Sequence, residues 1–248
     1  MIAPAAAVFG LVIGSFLNVV IHRVPRRRSV VWPASSCPKC GEPIAPRDNI
    51  PLVSYLLLRG KCRKCGAPIP VRYPLIEALT AILFGAAGYK FGVGIQLISA
   101  LVLIAALISL AAIDLEYRLL PNVIVGPCAA VGFLLSVLGD PSGWWIYILS
   151  ALAIGGGLLV LALAYPAGMG MGDVKMGGML GAFLGPYGAL AVFLGALSGS
   201  IVGGLLLALG KMGRRGALPF GVFMAFGGLV VLFAGPEIFA LYLRMVGI

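Results

Sequence analysis

Asp114 and Asp173 are the two residues whose surroundings ask for a chemical explanation. The chain has only eight carboxylates. Glu42, Asp48 and Glu116 suit solvated positions, as do Asp140 and Glu237, and Glu77 suits the positive end of a helix or an arginine partner. Asp114 ends the run "LISLAAIDLEYRLLP" and Asp173 stands in "GMGMGDVKM", each at the edge of a long apolar stretch. A charge beside hydrocarbon is costly, and its default reading is functional. Two carboxylates brought together share one proton, because both cannot ionise at once. The ionised member takes a proton from an attacking water while the protonated member donates to a peptide carbonyl oxygen. Gly170 and Gly172 fit that use, since a substrate backbone passes closest where no Cβ intrudes. Glycine makes up 36 of 248 residues, however, and helix packing through small residues is an ordinary reason for it. On residue chemistry alone two readings stay open, an aspartyl hydrolase without metal or an ion- or proton-coupled transporter. Simple pairing of an aspartate with Lys175 or Arg118 is the structural alternative.

Four of the five cysteines form a second constellation, Cys37-x2-Cys40 and Cys62-x2-Cys65, with 21 residues between the pairs. Each pair precedes a glycine, "CPKCG" and "CRKCG", which lets the turn tighten around one ion. The spacing is close to that of four-cysteine zinc ribbons. Four thiolates close the zinc tetrahedron and leave no position for water, so the expected role is structural. A segment of this size has a small core and needs such a staple. Two disulfides or free thiols are the alternatives, and placement in a reducing compartment argues against disulfides. Cys128 lies alone in an apolar run and reads as packing.

The elements that must position these groups are helices in a membrane. The composition is 61% hydrophobic and 10% charged, with mean hydropathy +1.09. Segments 2–21, 75–89, 95–113, 122–138, 145–165 and 219–243 read as separate spans, and 174–210, broken at "GPYG" (185–188), suggests two more. The fold class is therefore an all-α polytopic membrane protein of about eight helices. A small cytoplasmic cysteine module follows the first of them. The stretch 174–185 is short for a bilayer, so it either runs on through Pro186 or begins inside the membrane. Sixteen of the 18 Lys and Arg residues fall in the loops holding 22–74, 114–121, 166–175 and 211–217. The positive-inside rule puts those loops in the cytoplasm and the N-terminus outside. The net charge of +10 thus reports orientation and contact with anionic lipid, not nucleic acid. Segment 2–21 has no basic region before it and is followed by "HRVPRRR", so it reads as an anchor and not a signal peptide.

Six motifs, in order, resemble those of the prepilin peptidases, the leader peptidase/N-methyltransferases of type IV pili and type II secretion. They are "GSFLNVVIHRVP" (14–25), the cysteine module with "NIPLVSYLLLRGKC" (49–62), "RYPLIEALT" (72–80), "DLEYRLLPN" (114–122), "GMGMGDVKM" with its GxGD core, and "LPFGVFMAFG" (218–227). The resemblance implies that Asp114 and Asp173 are the catalytic pair of a membrane aspartyl protease. It implies a prepilin or pseudopilin substrate, cut after a glycine at the cytoplasmic face of a bacterial inner membrane. It also implies N-methylation of the new amine with S-adenosylmethionine, the part of the activity that goes with the cysteine module. No dinucleotide-type glycine fingerprint marks a donor site, and Asn49, Gly60 and Lys61 are the candidates that the resemblance supplies. A peptidase without methyltransferase activity is the nearest alternative. Transport is disfavoured by the lack of an inverted repeat or of matching interrupted helices. The expected organisation is a first helix (1–22), a zinc module (23–73) and a protease part (74–248). Oligomeric state is unreadable from the sequence.

Overall fold

A computed structural model describes residues 2–166, 168–211 and 218–246. Nine α-helices occur among them: α1 (Ile2–Arg23), α2 (Val53–Leu57), α3 (Arg72–Phe91), α4 (Ile95–Tyr117), α5 (Asn122–Gly139), α6 (Trp144–Ala164), α7 (Met171–Leu184), α8 (Tyr187–Ala208) and α9 (Phe220–Val246). Six stretches are long and apolar enough to cross a membrane: α1, α4, α5, Pro141–Ala164, α8 and most of α9. The expected spans at 75–89 and 174–185 are the helices α3 and α7, neither of which meets that standard by itself. Arg214 and Arg215 of the basic 211–217 loop lie outside the described residues.

The chain divides into two compact units, Met1–Val93 and Gly94–Ile248. The division falls at 93/94 and not at 73/74, because α3 packs along α1 and so belongs with the cysteine module. The reason is in the small residues. A Cβ on Gly10 would lie 2.8 Å from Ala81 Cα, and one on Gly14 would lie 2.8 Å from Glu77 Cα. Gly10-x3-Gly14 thus lets two backbones touch, the usual device where lipid provides no hydrophobic drive between helices. Between these helices the chain makes two similar knuckles. Cys37 N–H donates to Glu42 O and Gly41 N–H to Cys37 O, while Cys62 N–H donates to Ala67 O and Gly66 N–H to Cys62 O. Gly41 (φ 73°) and Gly66 (φ 68°) take the left-handed turn that closes each knuckle.

In the second unit the short helix α7 sits innermost, packed against α5, α6, α8 and α9. Its Met176, Met179 and Leu180 are fully buried, with Leu103, Leu107, Leu110 and Met224 in the same core. At 14 residues α7 is about 21 Å long. It does not run on through Pro186: it stops at Gly185 (φ 57°), whose N–H caps Gly181 O at 2.9 Å. Burial in protein explains how so short a helix is stable there. Its last carbonyls find partners, since Ser136 Oγ of α5 donates to Ala182 O (3.0 Å) and Phe183 O (3.3 Å). Glycines again allow the contacts. A Cβ on Gly181 would meet the Ala151 backbone of α6 at 2.7 Å, and one on Gly195 would meet the Met224 backbone of α9 at 3.0 Å.

Candidate active site and metal centre

Asp114 lies in the last turn of α4 and Asp173 in the first turn of α7, both in the second unit. Asp114 is buried, only 6% exposed, and its Oδ2 has no hydrogen-bond partner. The first turn of α9 lies against this carboxyl group at Gly221. A helix N-terminus offers unpaired donors and a positive dipole end, so it suits a carboxylate at this depth. Gly221 is what permits the approach: a Cβ there would lie 2.8 Å from Asp114 Oδ2.

Asp173 is half-buried, and its Oδ2 accepts from Gly170 N–H at 3.1 Å. Asp173 N–H in turn donates to Gly170 O at 3.1 Å, so the GxGD segment closes on itself as the start of α7. Leu120 links the two surroundings. A Cβ on Gly172 would lie 2.9 Å from Leu120 Cβ, and one on Gly221 would lie 3.0 Å from Leu120 Cδ2. Neither aspartate is in an ion pair among the described residues. Lys175, one candidate counter-ion, instead donates to Asn122 Oδ1 at 2.9 Å.

The two glycines of the motif therefore differ. A Cβ on Gly172 would press on Leu120, so packing inside the chain by itself calls for glycine there. Gly170 is exposed, and a Cβ there would meet nothing nearer than Asp173 Oδ2 at 3.5 Å. Sequence reasoning missed Gly221 and Leu120 as parts of this site. The only signal for either was its place inside a quoted motif.

In the first unit Cys37, Cys40, Cys62 and Cys65 converge, with all four Sγ atoms within 4.8 Å of one another and none in a disulfide. Cys37 Sγ and Cys65 Sγ are 3.8 Å apart. Tetrahedral zinc–thiolate bonds of about 2.3 Å place sulfurs roughly 3.8 Å apart. The donor set therefore fits a four-coordinate metal. The Cys40 and Lys39 backbone amides beside Cys37 lower its thiol, while the clustered sulfurs of Cys37, Cys65 and Cys62 push Cys40 up, as four thiols crowded together must. Arg63 clamps Asp48 through Nη2 at 2.7 Å and Nε at 2.8 Å, tying the second knuckle to the turn before α2. Cys128 lies half-buried on α5, in the second unit, and is not one of the four clustered cysteines.

Of the three candidates for donor binding, Asn49 is exposed and follows the turn Pro46–Asp48. Gly60 adopts φ 68° with the Tyr55 hydroxyl 3.0 Å from where its Cβ would be. Lys61 is exposed and bridges to Pro68.

Two family models match the chain: "Bacterial Peptidase A24 N-terminal domain" over residues 8–91 and "Type IV leader peptidase family" over residues 101–208. A Bacillus subtilis protein named prepilin leader peptidase/N-methyltransferase is 36% identical over 242 residues, covering 96% of both chains. The Pseudomonas aeruginosa protein of the same name is 35% identical over 277 residues, covering 96% of this chain and 92% of its own. One from Myxococcus xanthus is 43% identical over 226 residues, covering 86% of this chain and 67% of its own. No solved structure matches. With both domains in order and relatives aligned along nearly its whole length, the chain belongs to the type IV leader peptidase family.

Proposed function

We propose that this protein cleaves the leader from type IV prepilins or pseudopilins and methylates the new N-terminal amine. What supports the peptidase reading is the placement of Asp114 at the end of α4 and Asp173 at the start of α7, on surroundings that share Leu120, with neither in an ion pair among the described residues. Relatives bearing both activities in their name support the pairing of functions.

The chemistry follows from one proton shared by two carboxyl groups. Asp114 lies beside Gly221 at the start of α9, and Asp173 accepts from Gly170 N–H. The ionised member takes a proton from water as the oxygen attacks the scissile carbonyl carbon. The protonated member donates to the carbonyl oxygen, and a proton returned to the nitrogen releases the amine. Metal takes no part in this scheme. Gly170, exposed at the mouth of the motif, is the substrate-approach position.

We assign the four cysteines to structural zinc, which holds the module between α1 and α3. S-adenosylmethionine supplies an electrophilic methyl group, and the first unit, with Asn49, Gly60 and Lys61, is its place of action. The protein sits in the inner membrane of a bacterium with eight spans, its N-terminus outside and both activities at the cytoplasmic face. The charge bias of the loops supports that orientation. The pilin's apolar helix then lies against the spans, so the membrane supplies much of the substrate binding.

Purified protein given a prepilin, with and without S-adenosylmethionine, tests the reading by product mass. Loss of the leader is expected in both samples and a further gain of one methyl only with the donor. An unprocessed prepilin would refute the peptidase, and a cleaved product that never gains a methyl would refute the transferase.

A further inference from the structure

The first unit contains a cavity of about 580 Å³ between α1, α3 and the cysteine module. Ligand pockets for drug-sized molecules span roughly 300–1,000 Å³. Ser15, Asn18 and Val19 of α1, Glu77 of α3, Asn49 and Leu52 are among its lining residues. Three features mark it as built to hold a ligand.

Asn18 is 2% exposed, and its Nδ2 donates to Gly14 O (3.3 Å) and Tyr73 O (3.1 Å). Two carbonyl acceptors fix the amide's orientation, so the group left over is the oxygen. Asn18 Oδ1 is buried without a partner. A buried acceptor of this kind is rare and calls for a donor from elsewhere. Glu77, 8% exposed, brings a carboxylate to the same cavity, where Oε2 accepts from Leu52 N–H at 2.8 Å. Among the described residues Glu77 has no cationic partner within 4.0 Å.

The donor to Glu77 is itself held in a strained backbone. Leu52 has φ 60° and ψ −47°, and Val53 N–H donates across it to Pro51 O at 2.6 Å. This is the rare γ-turn that side-chain-bearing residues avoid, and such strain gathers at ligand sites. It directs one amide at Glu77 while leaving the carboxylate on the cavity wall.

We infer that this cavity is the methyl-donor site, with Glu77 and Asn18 Oδ1 receiving the cationic end of S-adenosylmethionine. The inference rests on the methyl-transfer reading and adds the residues that recognise the donor. The Asn18 oxygen and the Glu77 carboxylate, which the Leu52 amide and Ser15 also face, suit an ammonium group with N–H donors, while Arg23, Arg28, Lys39, Arg63 and Lys64 elsewhere in the lining suit the donor's own carboxylate. Gly60 enters indirectly: any Cβ there presses on the hydroxyl end of Tyr55, which also lines the cavity. Lys61 is not part of the lining.

The test is equilibrium binding of S-adenosylmethionine to full-length, metal-loaded protein in detergent, for wild type, Glu77→Gln and Val19→Phe. Gln keeps the oxygen that accepts from Leu52 N–H and removes the charge; Phe fills cavity space from α1. Metal content and thermal midpoint identify folded samples. At least a tenfold loss of affinity is expected in both variants. Glu77→Gln alone decides the matter if the Phe variant does not fold. Wild-type binding with undiminished affinity in folded Glu77→Gln overturns this site while leaving methyl transfer standing. A wild type that binds no donor overturns both.

Discussion

Gly221 of α9 stands where any side chain would strike Asp114: a Cβ would fall 2.8 Å from Oδ2 and 3.1 Å from Cγ. The contact ties the last helix to the proposed chemistry. Gly221→Ala should improve local helix propensity while pushing the carboxylate from its place. A displacement of about 1 Å at a reacting group costs on the order of 10²-fold in rate. We therefore expect cleavage to fall about a hundredfold with the thermal midpoint in detergent nearly unchanged. Cleavage within a factor of three of wild type would show that Asp114's position is not set by α9.

Gly227 tests stability instead. A Cβ there would collide with the carbonyl oxygen of Ala191, a backbone atom of α8 that has little freedom to move. Gly227→Ala should separate α8 from α9 and cost about 1–3 kcal/mol. Gly126, with open space around it, is the control, and Gly126→Ala should be neutral or stabilising. Chemical denaturation in mixed micelles compares the pair.

The metal gives a third expectation. One zinc per chain should be recovered by elemental analysis. Cys40→Ser or Cys65→Ser should release it, and Cys128→Ser should not. Chelation should loosen the segment between α1 and α3 before the helices, seen as protease cuts within 23–73 ahead of any loss of helical signal. Metal-free protein with the four thiols intact and the same cutting pattern would rule out the staple.

Much of this fold is legible in the sequence because apolar run length is a strong signal: the spans read at 95–113 and 122–138 are helices Ile95–Tyr117 and Asn122–Gly139. The cysteine cluster was equally open to view, since its spacing and following glycines define the knuckles. What was hidden depends on tertiary contacts. Nothing local says that α3 joins α1, because the cause is Gly10 and Gly14 meeting Ala81 and Glu77 across the interface. That a side chain at Gly172 would press on Leu120 is likewise a tertiary fact with no local signal. Glu77, assigned from sequence to a helix terminus or an arginine, instead accepts from a strained Leu52 amide. Asn18 had no chemical signal of its own, being one polar residue in an apolar helix.

Lys175 and Asn122 form a 2.9 Å hydrogen bond between the first turns of α7 and α5. Two residues beyond Asp173, Lys175 helps fix the start of the short helix that carries the aspartate. Lys175→Met should thus lower kcat for cleavage by roughly three- to tenfold, or about 1 kcal/mol in transition-state stabilisation, with Asn122→Ala reproducing the effect. Additive losses in the double variant, measured as kcat, would show that the two residues act separately.

The central claim is that Asp114 and Asp173 work as one proton-sharing pair. The direct measurement is the turnover of a purified prepilin by Asp114→Asn and by Asp173→Asn, read as mass of the released pilin, in samples whose helical content and metal content match wild type. Neither half of such a pair works alone, so each variant should lose cleavage almost entirely. A folded variant that retained more than about a tenth of wild-type turnover, a deficit below about 1.4 kcal/mol, would contradict the shared-proton dyad.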